Sequence, residues 1–285
     1  MSNAQAGTPP VVMSVTAFDP SGGAGVIADL NTIAAHNCYG VAAITALSCQ
    51  NGDSKPKFQH VNSAWLKDSI QSLLSSSAVA AVKIGMLPSR ASAEIVQQVI
   101  GANPAFAVVV DPNLSSNGGH DGKDVINPAA FRDLILGRAT VVTTSMAEAA
   151  ALTGLKVDSV EGMKAAVAKI VEMGARSAVI SGDQLEKPLD IYCERGSSET
   201  FAGERLKTEI PAGTRCTFSS AVAANLALGR QPHDAVMLAK AYVIEALRKA
   251  FSAGSGPARL NHFYRLHQGP RLADITSAAS ETVHQ

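Results

Sequence analysis

The sequence predicts a doubly wound α/β fold with a mostly parallel central sheet flanked by helices. From residue 11 to residue 250, apolar runs rich in valine and isoleucine alternate with amphipathic segments of helical period. This alternation is typical of parallel strands joined by crossover helices. The length of 285 residues and the hydrophobic content of 46% suffice for one large core. We therefore expect a single domain over residues 11–270, with flexible tails at 1–10 and 271–285.

Charge and cysteine usage narrow the class of partner. The 24 basic and 24 acidic residues cancel, so no general field attracts nucleic acid or a membrane surface. The four cysteines form no C-x-x-C pair, which is typical of reduced, cytoplasmic proteins. Because residues 1–10 are small and polar and no apolar run is long enough to cross a bilayer, we expect neither a secretory signal nor a membrane span. We expect a cytoplasmic protein with a small-molecule partner.

In the first half of the chain, hydrophobic period distinguishes strands from helices. Nearly continuous apolar runs predict buried strands at residues 11–17, 41–47, 79–86 and 105–110. Helices with one apolar face are predicted after the first strand and at residues 63–76 and 88–100. Trp65, the only tryptophan, is expected in the core, and Lys83 interrupts an otherwise apolar strand.

The second half continues the alternation. The predicted helices are residues 128–136, 146–152, 161–173 and 232–251, and the predicted strands are 140–143, 177–181 and 190–193. The segment 211–229 is a glycine turn followed by an alanine-rich, buried helix. A turn that enters a helix directs unpaired N–H groups at one point, which attracts anions. Cys216 lies there, either as a favoured thiolate or as a small buried apolar residue.

Polar residues at strand ends are candidates for binding. The first strand ends in the glycine-rich loop 19–25, the usual ligand position in an open α/β sheet. Asp19 and Asp29 either bind polar ligand groups or cap the helix and face solvent. Asp111 follows a buried strand at the same predicted edge. Glu148 either forms a capping box with Ser145 or lies near a phosphate-bound magnesium ion, through water.

Several motifs together resemble the hydroxymethylpyrimidine/phosphomethylpyrimidine kinase family, a branch of the ribokinase superfamily. They cover nearly the whole chain in the order expected for that family. The motifs are D-P-S-G-G-A-G-x-x-A-D-L (19–30), Y-G-V-x-x-I-T-A-L-x-x-Q-N (39–51), V-K-I-G-M-L (82–87), V-x-D-P-N (109–113) and G-T-R-C-T-F-S-S-A (213–221). The resemblance implies a ribokinase-like fold and an ATP- and Mg²⁺-dependent kinase. Its substrates would be 4-amino-5-hydroxymethyl-2-methylpyrimidine and the monophosphate of that alcohol, in thiamin biosynthesis. A homodimer is also implied.

The resemblance also implies roles for single residues. The pyrimidine would contact four residues, namely Ala17, Asp29, Gln50 and Met86. The turn formed by Gly213, Thr214, Arg215 and Cys216 would cradle the transferring phosphoryl group, with Cys216 as the base. Asp111, Glu148 and Ser181 would lie on the nucleotide side, with Asp111 and Glu148 holding Mg²⁺ through water.

Arg215 departs most from the family pattern, which has glycine at this position. We expect the side chain either to obstruct the phosphate, at the cost of a left-handed backbone, or to supply a cation that lowers the thiol pKa. Two alternatives to the pyrimidine kinase therefore stand. One is a pyridoxal or pyridoxine kinase, and the other is a catalytically weak protein that binds a pyrimidine or vitamin B6.

Overall fold

A mostly parallel sheet forms the centre of the computed structural model, which describes residues 7–49, 57–114, 125–203, 211–254 and 256–265. Its strands are β1 (Val11–Phe18), β2 (Tyr39–Cys49), β3 (Lys57–His60), β4 (Val79–Ile84), β5 (Ala107–Val110), β6 (Val141–Ser145), β7 (Ser177–Gly182), β8 (Leu189–Glu194) and β9 (Ser197–Ala202). Their order among the described residues is β3-β2-β1-β4-β5-β6-β7-β8-β9. Six adjacent strands, β2, β1, β4, β5, β6 and β7, are parallel, whereas β3, β8 and β9 are antiparallel to their neighbours.

Helices cover both faces of the sheet, as predicted for a doubly wound fold. The helices are α1 (Gly25–Ala35), α2 (Ser63–Ser76), α3 (Arg90–Ala102), α4 (Pro128–Ile135), α5 (Met146–Thr153), α6 (Val160–Glu172), α7 (Thr214–Ala227) and α8 (Pro232–Arg248). Apolar side chains of α2 to α6 form the core on one face. Those of α1, α7 and α8 form the core on the other. Among the described residues, no helix combines the length and apolarity needed to span a bilayer.

The strand order reverses between β1 and β4, and this reversal locates a crevice. The chain passes from β1 to β2 on one side and returns to β4 on the other. Crossover connections then leave the sheet in opposite directions, which opens a gap at the carboxyl ends of the two strands. Helix α7 packs over β1, β4 and β5. Its amino-terminal end therefore belongs to the part of the fold where ligands usually bind.

One sequence expectation is wrong, and two edge strands were not predicted. Trp65 is 69% exposed on α2, so its predicted place in the core is wrong. The edge strands β3 and β9 were not predicted, because most of their residues are polar and exposed and carry no buried face. Of the predicted tails, only residues 7–10 fall within the described ranges.

Candidate functional site

The site is assembled from both ends of the chain at the crevice beside β1 and β4. Ser220 of α7 donates a hydrogen bond of 2.8 Å to Asp29 of α1, across 191 residues of sequence. Arg215, also on α7, forms an ion pair with Asp111 at the end of β5. The predicted candidates from the first loop, the middle strands and the late helix are therefore neighbours in space.

Gly213 makes the turn that starts α7. It is the N-cap residue and has a left-handed backbone, with φ of 86°. A Cβ atom at this position would lie 1.7 Å from the carbonyl oxygen of Gly23, in the loop between β1 and α1. The first helical bond runs from the Thr217 N–H to the Gly213 carbonyl, at 2.8 Å. The N–H groups of residues 214–216 thus precede the helical ladder, as an anion cradle requires.

Asp19 holds the β1–α1 loop in shape. Its carboxylate accepts hydrogen bonds from the backbone N–H and hydroxyl of Ser21, at 2.9 and 2.8 Å, and from the Ala24 N–H at 3.1 Å. Asp19 therefore closes the loop and does not cap α1, whose N-cap residue Ala24 has no side-chain cap bond. The glycine loop is consequently fixed against the turn at Gly213.

A buried ion pair lies beneath the crevice. Lys83 Nζ donates to Asp29 Oδ2 at 2.9 Å, and both side chains are 0% exposed. Asp29 also accepts hydrogen bonds from the Ser14 hydroxyl at 2.6 Å and from Ser220. Burial alone would lower the pKa of Lys83, but Asp29 and other nearby acidic groups outweigh it, so this pKa is raised. Lys83 remains a fixed cation at neutral pH.

Arg215 does not have the left-handed backbone that we expected. It is the second residue of α7, and the left-handed residue of the turn is Gly213. The Arg215 guanidinium contacts Asp111 Oδ1, and its Nη2 atom lies 2.8 Å from Glu148 Oε1. The backbone strain assigned to this departure is therefore absent, and the side chain is directed into the carboxylate cluster.

Glu148 forms the predicted capping box with Ser145, and its second carboxylate oxygen has other partners. Its Oε2 atom accepts hydrogen bonds from the Ser145 N–H and hydroxyl, and Ser145 in turn caps the Glu148 N–H, which completes a capping box. Its Oε1 atom accepts from the Leu114 N–H at 3.0 Å, besides contacting Arg215. Both carboxylate oxygens thus have protein donors.

Of the two alternatives left open for Cys216, burial favours the protonated thiol over the thiolate. The half-buried thiol has a pKa raised to about 11, because burial outweighs the opposing effect of the Lys83 cation. Arg215 pairs with Asp111 and Glu148, which offset its cationic charge. At neutral pH the sulfur is therefore almost entirely protonated.

This pKa predicts a steep pH dependence of thiol alkylation. Since iodoacetamide reacts with the thiolate, the rate at Cys216 should rise about tenfold per pH unit between pH 7 and pH 10. Peptide mapping by mass spectrometry resolves Cys216 from the exposed Cys49, which serves as the reference for access. A rate at Cys216 that stayed constant from pH 7 to pH 9 would mean that the thiolate is already formed.

A small apolar cluster adjoins the site and contains two of the predicted substrate contacts. Ala17 and Met86 pack together with Ala46. Hydrogen bonds on both sides of Met86 fix it: the Thr45 hydroxyl donates to its carbonyl at 2.7 Å, and its N–H donates to the Thr16 hydroxyl. Gln50, the fourth predicted contact, lies outside the described residues.

Four further residues lie close to the site: Ser181, which was predicted, and three partners of Asp29, which were not. Ser181, on β7, pairs in register with Ser145, which places it beside the capping box of Glu148. No role was predicted for Lys83, Ser14 or Ser220, the partners of Asp29. A lysine inside a strand of valine and isoleucine was the available signal, because a buried cation requires a buried carboxylate.

Known proteins share the fold of this chain and part of its sequence. The family model described as phosphomethylpyrimidine kinase matches residues 19–261. The hydroxymethylpyrimidine/phosphomethylpyrimidine kinase of Streptomyces coelicolor is 33% identical over 91% of this chain and 96% of that protein. Bacillus subtilis pyridoxal kinase, solved with ADP, superposes with a TM-score of 0.83 at 27% identity, over 92% of this chain and all of that one. Staphylococcus aureus pyridoxal kinase, solved with AMP-PCP and pyridoxal, superposes with a TM-score of 0.82 at 28% identity, over 91% of this chain and 96% of that one. These similarities confirm the predicted ribokinase-like fold.

Proposed function

This chain belongs to the phosphomethylpyrimidine kinase family, and we propose that it transfers phosphate from ATP to 4-amino-5-hydroxymethyl-2-methylpyrimidine and then to the resulting monophosphate. The activity belongs to thiamin biosynthesis. The observation that carries the proposal is the contact of the Gly213 turn with the β1–α1 loop, directly beside the Ala17 and Met86 cluster. It brings an anion cradle and an apolar wall for a heteroaromatic ring into one crevice.

The phosphoryl group is handled by the first turn of α7. Transfer of a γ-phosphoryl group needs mainly positioning and stabilisation of charge on its oxygens. Backbone N–H groups of Thr214, Arg215 and Cys216, together with the positive end of a helix of 14 residues, supply both. Only a small fraction of Cys216 is ionised at neutral pH, so proton removal by this thiol is the smaller contribution.

The pyrimidine end is assigned to Ala17, Met86, Gln50 and Asp29. Ala17 and Met86 supply van der Waals contact, and a carboxamide at Gln50 reads the donors and acceptors of an aminopyrimidine. Asp29 already accepts three hydrogen bonds and has no exposed surface. Its contact with substrate therefore requires one of its protein partners to release it.

ATP is the proposed phosphate donor, since two pyridoxal kinases of the same fold were solved with ADP and with AMP-PCP. Magnesium is proposed to accompany the nucleotide. Asp111 and Glu148 were predicted to hold this ion through water; both contact Arg215, so direct coordination by them does not fit the residues present. The assignment of Ser181 to the nucleotide side, a cytoplasmic location and a homodimer remain parts of the proposal.

Measurement of ADP formation with each alcohol tests the function. We expect kcat/KM for the hydroxymethylpyrimidine to exceed that for pyridoxal by about tenfold or more, about 1.4 kcal/mol of transition-state energy. The monophosphate should also be a substrate. The variant Met86→Ala tests the pyrimidine contact, because it removes most of the apolar wall. It should raise KM for the pyrimidine and have a smaller effect on ATP hydrolysis.

The same assay decides between the proposal and its alternatives. Pyridoxal kinase is the second candidate, because two solved structures of similar fold bear that name. If kcat/KM were higher with pyridoxal than with the hydroxymethylpyrimidine, the protein would be a pyridoxal kinase instead. Absence of ADP formation with every alcohol, combined with tight binding of one of them by calorimetry, would instead identify a binding protein.

A further inference from the structure

One guanidinium nitrogen joins the two carboxylates on the nucleotide side of the site. Arg215 Nη2 contacts Asp111 Oδ1 and, at 2.8 Å, Glu148 Oε1. Two carboxylate oxygens that converge on one point form the start of a site for a hard divalent cation. In this protein, the guanidinium of Arg215 occupies that point.

Burial makes a cation necessary here. The side chains of Asp111 and Glu148 are 3% and 0% exposed, whereas Arg215 is 35% exposed and covers them from the solvent side. Two buried carboxylates close together repel each other unless a counter-charge lies between them. This pair has no third ligand: nowhere in the described part of the chain do three histidine, cysteine, aspartate or glutamate side chains come together as ligands for a metal.

The position of Arg215 in its helix indicates that the contact is specific. Arg215 is in the first turn of α7, where the helix dipole disfavours a positive charge. A side chain that served only the helix would therefore be neutral or acidic. The guanidinium gains its stability from the two carboxylates, which raise its pKa although burial alone would lower it.

We propose that Arg215 is a resident cation that replaces a divalent metal ion on the Asp111 and Glu148 pair. The nucleotide-free protein consequently has no divalent site at this pair, and removal of the guanidinium creates one. The inference rests on the proposed function in one respect only, namely that phosphoryl transfer takes place in this crevice. Divalent ions then reach the crevice with the nucleotide.

Binding of Mn²⁺ to the nucleotide-free protein tests the proposal. Binding is measured as the decrease of the EPR signal of the free Mn²⁺ ion. We expect Arg215→Gly and Arg215→Gln to bind one Mn²⁺ ion at least tenfold more tightly than the wild type. The added Asp111→Asn change should remove that site in each variant. The control Arg90→Gln, which breaks an exposed pair with Glu94, should resemble the wild type.

Thermal unfolding supplies a second measurement in the same samples. Loss of the guanidinium leaves two buried carboxylates uncompensated, so both variants should melt below the wild type, and Mn²⁺ should restore part of the loss in them alone. Two results would overturn the inference: a wild-type Mn²⁺ site that Asp111→Asn abolishes, or no gain of binding in folded Arg215→Gln. Neither result depends on turnover, so the kinase assay is judged separately.

Discussion

Replacement of Gly213 by alanine is expected to lower kcat at least 100-fold and to destabilise the protein by about 2–4 kcal/mol. The backbone at this position is left-handed, and the new methyl group would lie 1.7 Å from the carbonyl oxygen of Gly23. The β1–α1 loop must therefore move away from the amino-terminal end of α7. That movement separates the amide cradle from the substrate wall. Steady-state kinetics and urea unfolding measure the two effects.

The same helix provides a matched control at its other end. Gly229 follows α7 with φ of 84°, but no atom lies within 4 Å of the position of an added Cβ. Gly229→Ala should therefore cost only the left-handed backbone term, about 1 kcal/mol, and leave kcat unchanged. If both variants lost the same activity, close packing at Gly213 would not explain its effect.

Lys83→Met is expected to destabilise the protein by about 3–5 kcal/mol, because it leaves the Asp29 carboxylate buried without its cation. Two serine hydroxyls would remain on Asp29, yet neither carries a charge. The loss should appear as a lower midpoint of urea unfolding at pH 7, with little change in slope. Turnover should also fall, since Lys83 lies close enough to influence the Cys216 thiol.

A double-mutant cycle tests the origin of this loss. Lys83→Met with Asp29→Asn removes both charges, so the double variant should be less destabilised than the sum of the single changes. Arg90→Met, in the exposed pair with Glu94, is the control and should change stability by about 0.5 kcal/mol or less. Additive effects at Lys83 and Asp29 would show that the two charges do not depend on each other.

The sequence was sufficient for the fold class and for most of its elements. Continuous apolar strands such as β1 and one-sided helices such as α2 carry strong periods, and the structure places both close to their predicted bounds. The edge strands β3 and β9 are mostly exposed and polar, so their pairing depends on neighbours that the local pattern does not contain. Trp65 occupied an apolar position of a helical pattern, but burial also depends on what packs against that face.

For the site, glycine and strand-end signals identified the right regions but not the side-chain pairing. Gly213 and Asp111 were recognisable because turns and strand ends have local signatures. The contact of Arg215 with Asp111 spans 104 residues, and no local rule predicts it. The state of Cys216 stayed open in the sequence for a related reason. Its pKa depends on burial by distant segments, and that effect outweighs the local helix terminus.

Ser220 and Asp29 are separated by 191 residues of sequence, so their hydrogen bond forms late when the chain folds during translation. During translation, α1 and β4 leave the ribosome long before α7 exists, so Lys83 and Asp29 meet first without the serine that later joins them. Closure of so long a loop comes late and is slow relative to local contacts. Nascent chains should therefore acquire the crevice only when their last quarter has emerged.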